Sequence, residues 1–183
     1  DSLTFSADVD ENASISINED ILIISPNDNY YGDIEVTVTV SDGELSDAEI
    51  FTLTVLPVND DPVLLEISDS SIYEGQIFQY TLEADDIDGD DLIFVATSNN
   101  NTNIVINNDG LTVLPENDFN GNIEITVTVY DNSSSDFRVF TLEVLPVNDP
   151  PELSFIGSKT TDEDTDLEIN LSANDIDGDN LIF

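Results

Sequence analysis

The sequence predicts an all-β protein made of antiparallel β-sandwiches of about seven strands each, arranged end to end. Two observations support this prediction. Apolar and polar residues alternate with a period of two in the aliphatic stretches, a spacing that fits strands and not helices. The same motifs also return every 89 residues, which is a normal size for one small sandwich domain.

The 89-residue period appears in independent motifs. Leu3, Leu92 and Leu181 stand 89 positions apart in matching segments, and Pro57 and Pro146 stand the same distance apart within Leu-Pro-Val-Asn-Asp. Because no insertion interrupts the period, we expect a tandem array. The expected divisions are the later part of one repeat at 1–57, a linker at 58–62, a complete repeat at 63–146, a linker at 147–151 and the opening part of a third repeat at 152–183.

Seven strands are expected along the complete repeat, because β-branched and aromatic residues occupy its alternating positions. They are predicted near residues 63–69, 76–83, 91–97, 102–106, 111–114, 122–130 and 136–145. Alternate side chains should point into the core, and we expect most aromatic residues at these inward positions. The partial repeats should carry equivalent inward rows, with Phe51 matching Phe140 and Leu171 matching Leu82.

The charge of the chain excludes several classes of partner. Its 183 residues include 41 Asp and Glu but two basic residues, Arg138 and Lys159, and the formal net charge is −39. Nucleic acids and anionic membranes attract a basic face, so neither is expected as a partner. Direct membrane insertion is not expected either, because no apolar stretch approaches the length that spans a bilayer.

Cysteine and histidine are both absent from the sequence. Disulfides, thiolate metal sites, a thiol nucleophile and the commonest general base are therefore excluded. Oxygen ligands remain, and oxygen suits calcium or magnesium. No carboxylate is set apart from the repeated ones as a catalytic group would be, so the chain is not expected to be an enzyme.

An acidic loop occurs twice, as Ala-Asp-Asp-Ile-Asp-Gly-Asp over 84–90 and Ala-Asn-Asp-Ile-Asp-Gly-Asp over 173–179. Two carboxylates about 4 Å apart repel by roughly 4 kcal/mol at an effective dielectric near 20, and neither loop contains a basic residue. We interpret it as a calcium-binding loop at a junction between domains. A solvated turn is the alternative. An EF-hand is excluded, because an EF-hand loop has Glu at its twelfth position and this loop has Thr97 there.

Further motifs accompany the loop. A Val-Asn-Asp linker opens each repeat, a Pro-x-x-x-aromatic-x-Gly corner lies at 115–121, and a strand ends at Asp131. Together these motifs resemble the bacterial cadherin-like tandem repeats of large extracellular proteins, over essentially the whole chain. The resemblance implies cadherin-like or Ig-like sandwiches that bind Ca²⁺ and are secreted or displayed at the cell surface. The linker of animal cadherins carries an acidic residue where this chain has Pro57 and Pro146, so their ion count is not carried over.

The alternating direction of the strands predicts which acidic groups meet at each linker. The candidates around the first linker are Asn27, Asp28 or Asn29, then Asn59 and Asp60, then Asp86, Asp88 and Asp131, with Asp90 as a further candidate. The candidates around the second linker are Glu74, Glu116 or Asp118, then Asn148 and Asp149, then Asp175 and Asp177. Two of these candidates have an alternative to metal binding. Glu74 could be an exposed residue at a bend, and Asp131 could cap a hairpin.

We expect a structural function, as a calcium-rigidified segment of an extracellular fibre, adhesin or matrix protein. Neighbouring repeats are its expected partners, in the same chain or in identical chains. Since residues 150–183 carry early strands and residues 1–57 carry late ones, copies could complete each other in a head-to-tail filament. The alternative is a carbohydrate-binding accessory module of a secreted hydrolase, with a glycan or cell-surface ligand. That alternative predicts solvent-facing aromatic side chains on one sheet.

Overall fold

The computed structural model describes residues 2–99 and 102–182, so four positions lie outside the description, including Asp1 and Phe183 at the ends of the predicted segments. The described residues form sixteen strands and no helix, which confirms the all-β prediction. The strands fall into two units, Asp1–Asp60 with Ile87–Gly89, and Asp61–Asp86 with Asp90–Phe183.

The first unit contains five strands, which are β1 (Thr4–Val9), β2 (Ala13–Asn18), β3 (Ile21–Pro26), β4 (Gly32–Ser41) and β5 (Ser46–Val55). β4 lies between β1 and β5 in an antiparallel sheet, and β2 pairs with β3. The period-two pattern of β4 is realised in its burial, because Ile34 and Val36 are buried while Glu35 between them is exposed.

The second unit contains the remaining strands. They are β6 (Val63–Leu64), β7 (Ser70–Tyr73), β8 (Phe78–Thr81), β9 (Ala84–Asp85), β10 (Ile93–Ser98), β11 (Thr102–Asn107), β12 (Gly110–Pro115), β13 (Gly121–Tyr130), β14 (Ser135–Leu145), β15 (Glu152–Leu153) and β16 (Ala173–Asn174). One sheet has the order β10-β13-β14-β7 and another has the order β11-β12-β8, while β6 pairs with β9 and β15 pairs with β16. Strands β1 to β5 therefore recur as β10 to β14 at a spacing of 89 residues, with the same pairing register.

A hydrophobic core fills the second unit between its two larger sheets. Alternate residues of β13 are completely buried, and Leu142 and Phe140 of β14, which lie opposite Ile123 and Ile125, are buried with them. The ring of Phe140 on β14 packs against Phe78 on β8, with the ring centroids 5.9 Å apart. The buried cluster comprises Leu64, Ile67, Leu82, Leu111, Val113, Ile123, Ile125, Val127, Val129, Phe140, Leu142 and Val144.

Inward rows of the partial repeats are less buried than the sequence predicts. Phe51 is 40% exposed although its counterpart Phe140 is 2% exposed, and Leu171 is 50% exposed although its counterpart Leu82 is 2% exposed. The difference has a physical reason, because Phe140 packs against a ring on β8 and the described first unit contains no strand equivalent to β8.

Two predicted strands are shorter in the structure, and a separate strand follows each. The stretch predicted at 63–69 contains only β6, and β7 begins after it at Ser70; the stretch predicted at 76–83 contains only β8, and β9 follows it at Ala84. β6 pairs with β9, whereas β7 pairs in parallel with β14, so the chain changes sheets at the buried Ile67. Alternation alone does not indicate such a crossover, because both pieces keep the same period.

The expectation that most aromatic side chains face the core is wrong. Tyr73, Tyr130 and Phe137 lie on one sheet and are 53%, 42% and 60% exposed, respectively. Alternating patterns assign a residue to one of two faces, and here the apolar residues occupy both faces of β14.

Truncating two equivalent phenylalanines should therefore have unequal effects. Phe140→Ala should lower the free energy of unfolding by about 3–5 kcal/mol, since it leaves a cavity in a closed core. Phe51→Ala should cost about half as much, because part of its side chain already contacts water. Urea unfolding of both variants, followed by circular dichroism, provides the comparison. Equal losses would contradict the difference in burial.

Candidate metal centre

Three carboxylates from separate segments converge in the second unit. Glu74 follows β7, Asp149 lies after β14 and Asp177 follows β16, and each offers an oxygen within 4.8 Å of the others. Calcium binds oxygens at about 2.3–2.6 Å, so two ligands on opposite sides of one ion stand about 5 Å apart. The spacing of this carboxylate triad therefore fits a single calcium ion.

The parallel pairing of β7 with β14 positions Glu74. Tyr73 on β7 lies beside Leu145 on β14, and the next backbone amide, that of Glu74, donates to the Leu145 carbonyl at 2.9 Å. The Glu74 carboxylate then accepts a hydrogen bond from the Val147 amide. Glu74 thus contacts both the end of β14 and the start of the second linker, and these contacts are more than those of a plain exposed residue at a bend.

The acidic loop contacts the same linker from its other side. The Asp149 amide donates to Asp177 Oδ2 at 2.6 Å, and Asn148 Nδ2 donates to the Asp149 carbonyl at 2.9 Å. Within the loop, Asp175 Oδ1 accepts from the amides of Asp177 at 3.1 Å and Asp179 at 3.3 Å. These bonds fold the loop back on itself so that Asp177 faces the linker.

A glycine makes this turn. Gly178 has a φ of +78°, a left-handed conformation that costs other residues energy. Gly89 takes a φ of +75° in the equivalent loop. The glycine of the acidic motif therefore serves backbone geometry.

Negative charge accumulates at Asp149. Burial raises the pKa of its carboxyl, and the neighbouring charges of Asp118, Asp177, Glu74 and Asp175 raise it further. An all-oxygen donor set with excess negative charge and calcium-like spacing fits a divalent hard cation. Asp118, of the pair Glu116 or Asp118, is the residue whose charge acts on Asp149, while Glu116 is exposed and its backbone oxygen accepts from the Phe119 amide at 3.3 Å.

Residues of the first linker make the same hydrogen bonds in the first unit. The Asp60 amide donates to Asp88 Oδ2 at 2.7 Å, and Asn59 Nδ2 donates to the Asp60 carbonyl at 2.7 Å. These are the bonds of Asp149, Asp177 and Asn148 displaced by 89 residues. The repeated linker and acidic loop thus make the same hydrogen bonds at both linkers.

A cleft of about 260 Å³ adjoins these first-linker residues. Asn27 and Asn29 line it together with Asp60 and Asp88, while Asp28 is exposed and does not line it. The remaining lining residues are Pro26, Tyr30, Tyr31, Val55, Leu56, Pro57 and Val58. Of the alternatives Asn27, Asp28 and Asn29, the two asparagines therefore accompany the linker carboxylates.

Asp131 is buried and caps a hairpin. Its Oδ1 accepts from the amides of Ser133 at 2.7 Å and Ser134 at 2.6 Å, and its Oδ2 accepts from the Ser134 hydroxyl at 2.9 Å. Asp42 does the same in the first unit, where hydrogen bonds from the Leu45 and Glu44 amides lower the pKa of its carboxyl. Asp131 thus makes the contacts of a hairpin cap, as its alternative interpretation predicts, and a ligand role for Asp131 stays a prediction.

The loop residues Asp86 and Asp90 resemble their counterparts in the second loop. Asp86 Oδ1 accepts from the Asp90 amide at 3.1 Å, as Asp175 does from the Asp179 amide. This bond closes the loop within the second unit. Their binding of metal stays a prediction, like that of the whole candidate set.

Sequence reasoning overlooked Asp136. Its carboxylate accepts from the Leu64 amide at 3.0 Å and pairs with Arg138 at 2.9 Å. Burial pushes the pKa of this carboxyl upward, but hydrogen bonds from the Leu64 and Phe137 amides and the Arg138 charge outweigh it and lower the pKa. The recurrence of an aspartate at Asp47, 89 residues earlier, was the available signal.

Comparisons with known proteins agree with the fold. Residues 58–144 match the model of the cadherin-like domain family. The structure of human protocadherin-24 EC1-2, form II, is similar with a TM-score of 0.53 and 16% sequence identity, over 78% of this chain and 81% of that chain. Residues 58–144 therefore match a cadherin-like domain, and over this segment the resemblance seen in the sequence is confirmed.

Two more distant similarities complete the comparison. Drosophila N-cadherin EC1-4 has a TM-score of 0.44 and 13% identity, over 96% of this chain and 51% of that chain. The endo-fucoidan hydrolase MfFcnA4 of glycoside hydrolase family 107 has a TM-score of 0.39 and 21% identity, over 79% of this chain and 24% of that chain. The chain thus spans about a quarter of the length of the fucoidan hydrolases it matches. No curated protein matches it.

The family assignment supports a coarse functional class. Cadherin-like domains generally bind Ca²⁺, are usually extracellular, and suggest an adhesive or structural module. Among the described residues, no helix has the length and apolar character needed to cross a bilayer.

The raised pKa of Asp149 predicts an unusual pH dependence without metal. Its folded-state pKa lies above the ordinary value of 3.8, so the ionised carboxylate destabilises the folded state at neutral pH. In chelator, Asp149→Asn should therefore be more stable than the parent at pH 7. The difference should shrink as the pH falls through the raised pKa and vanish below about 3.8. Urea midpoints against pH measure it, and equal midpoints at pH 7 would refute the electrostatic penalty.

Proposed function

We propose that the chain is a segment of tandem cadherin-like repeats that calcium stiffens at the linkers, within an extracellular fibre, adhesin or matrix protein. The proposed divisions are a complete repeat over 63–146, linkers over 58–62 and 147–151, and parts of neighbouring repeats over 1–57 and 152–183. The observation that carries the proposal is the convergence of Glu74, Asp149 and Asp177 on the second linker.

Three segments of the chain meet at this linker, and that arrangement supports a mechanical role. Glu74 belongs to the complete repeat, Asp149 to the linker and Asp177 to the following repeat. An ion bound by all three would hold the linker to the domain on each side of it. Without an ion, the carboxylates repel one another, since the charges around Asp149 already raise its pKa. Calcium would therefore convert a repulsive joint into a stiff one.

Calcium is favoured over magnesium by the character of the ligands. The proposed set combines carboxylates with the amide oxygens of asparagines, and calcium accepts six to eight such oxygens in flexible geometry. Magnesium demands a tighter octahedron and keeps several waters. The complete proposed set is Asn27, Asp28 or Asn29 with Asn59, Asp60, Asp86, Asp88, Asp90 and Asp131 at the first linker, and Glu74 and Glu116 or Asp118 with Asn148, Asp149, Asp175 and Asp177 at the second.

The partners that this function requires are neighbouring repeats. Like the proposed extracellular location, they agree with the usual context of cadherin-like domains. The human protocadherin-24 structure spans two consecutive domains, EC1-2, and that pair of domains matches most of this chain. The likeness supports an arrangement of consecutive repeats.

Removing one ligand should weaken the response of the fold to calcium. Extracellular sites bind calcium at about 10⁻⁴–10⁻³ M, so 10 mM calcium should stabilise each site by about 1.4–2.7 kcal/mol. Thermal unfolding of the parent with calcium, with magnesium and with chelator should show the highest Tm with calcium. Asp177→Asn should lose much of this increase, whereas Glu168→Gln removes the same charge from an exposed position and should keep it. A Tm that does not respond to calcium would disprove metal binding.

Chelation should also change the dimensions of the chain in solution. If calcium stiffens the linkers, its removal should broaden the distribution of distances measured by small-angle X-ray scattering. Asp177→Asn in calcium should resemble the parent in chelator, and Glu168→Gln should resemble the parent in calcium. Identical scattering with and without calcium, in a protein whose Tm does respond, would separate metal binding from stiffening and reject the mechanical role.

A further inference from the structure

The sheet β10-β13-β14-β7 carries an exposed apolar patch on the face opposite the core. Inward residues of β13 and β14 are buried, yet the residues that alternate with them are also apolar in part. We name this surface the outer patch. Its residues are Ile93, Val95, Tyr130, Phe137 and Val139, which are 42–60% exposed.

The pairing register makes the outer patch continuous across three strands. Ile93 lies opposite Tyr130, and Thr128 lies opposite both Val95 and Phe137. Tyr130 and Phe137 are therefore diagonal neighbours across β13 and β14, a relation that places such residues about 7–8 Å apart. Two aromatic side chains thus stand next to each other on an open sheet face, with a threonine hydroxyl beside them.

A polar groove continues the same face. Thr141 and Glu143 follow Val139 at every second position of β14, so they point to the same side of the sheet. Asp69 Oδ1 accepts from the Thr141 amide at 2.6 Å, which fixes Asp69 at the groove. The groove has a volume of about 510 Å³, and its lining residues are Asp69, Ser70, Ser71, Asn122, Thr141 and Glu143.

The fold does not require this outer patch. The first unit has the same sheet in the same register, and it carries small or polar residues at four of the five equivalent positions. Those residues are Thr4, Ser6, Ser41 and Ala48, in place of Ile93, Val95, Tyr130 and Phe137. Packing explains the apolar inward rows of the second unit, but it does not explain why one outer face is apolar and the other is not.

We propose that this face of the second unit binds a neutral polysaccharide. Aromatic rings stack on the apolar faces of sugar rings, and the hydroxyl, amide and carboxylate groups of the groove can exchange hydrogen bonds with sugar hydroxyls. The proposal goes beyond the calcium-dependent function and does not depend on it.

Size and charge select this partner over the others. A stable protein interface needs roughly 20–30 residues a side, whereas the five residues of the outer patch and the six of the groove make eleven. A second copy of the chain also carries a net charge of −39, and an anionic glycan would face the Asp69 and Glu143 carboxylates. A neutral glycan segment meets neither obstacle, since it is narrow and uncharged.

The first unit provides the substitutions for a test. Tyr130→Ser and Phe137→Ala introduce the residue types that the first unit has at the equivalent positions, Ser41 and Ala48. The sheet therefore tolerates both substitutions. Ile50→Thr, on the outer face of the first unit, is the matched control because Ile50 is 61% exposed at the position equivalent to Val139. The probes are mixed-linkage β-glucan, arabinoxylan and galactomannan, with sulfated carrageenan as the anionic comparison, in native affinity electrophoresis with calcium.

The parent chain should be retarded by at least one neutral glycan and not by carrageenan. The double variant Tyr130→Ser, Phe137→Ala should bind that glycan at least tenfold more weakly, while Ile50→Thr should bind it as the parent does. Retardation of the parent by no neutral glycan would overturn the proposal, as would equal retardation of the double variant. Self-association of the parent that the double variant abolishes, without glycan binding, would instead assign the outer patch to contacts between copies.

Discussion

A backbone amide bound to a carboxylate organises each linker of this protein. The Asp149 amide donates to Asp177, and the Asp60 amide donates to Asp88 in the same way. Each bond ties an acidic loop to an acidic linker. The contact therefore brings together charges that would otherwise separate, and it does so without a basic residue in either loop. These hydrogen bonds stabilise the local fold, but they also hold carboxylates close enough to repel one another. A bound cation would offset that repulsion.

Strand formation in this chain depends on partners as much as on pattern. Residues 167–170 correspond to β8 at the 89-residue spacing and keep alternating apolar positions at Leu167 and Ile169, yet no strand is present there. β7 pairs with β14 and β8 pairs with β12, so each is held by a strand from the later part of its own repeat. The described residues after β15 contain no such later strands. Period-two alternation indicates which face of a strand is apolar. The backbone N–H and C=O groups still need hydrogen bonds, and a neighbouring strand provides them.

This dependence explains how much of the structure could be predicted. The strands from β10 to β14 follow from alternation and turns, and two of their pairings, β11 with β12 and β13 with β14, join strands that are consecutive in sequence. The crossover at Ile67 and the parallel pairing of β7 could not be predicted, since both depend on β14, about 70 residues away. The site shows the same division. The acidic loop was evident from its composition, whereas the choice of Asp118 beside Asp149 required the positions of three separate segments.

The two linkers differ in their chemistry although they share their hydrogen bonds. At the second linker, Asp118 adds a charge that acts on Asp149, but the equivalent position in the first unit is Asn29, which lines the cleft beside Asp60. Ligand charge is one of the main determinants of calcium affinity. An amide oxygen can still coordinate the ion, but it adds neither attraction for the cation nor repulsion in its absence. On the proposed calcium-binding function, a carboxylate at that position would make the joint bind calcium more tightly and open more readily when calcium is lost. Repeats with one backbone geometry would then give joints that stiffen at different calcium concentrations, and the exchange of Asp118 for Asn29 contributes to the difference.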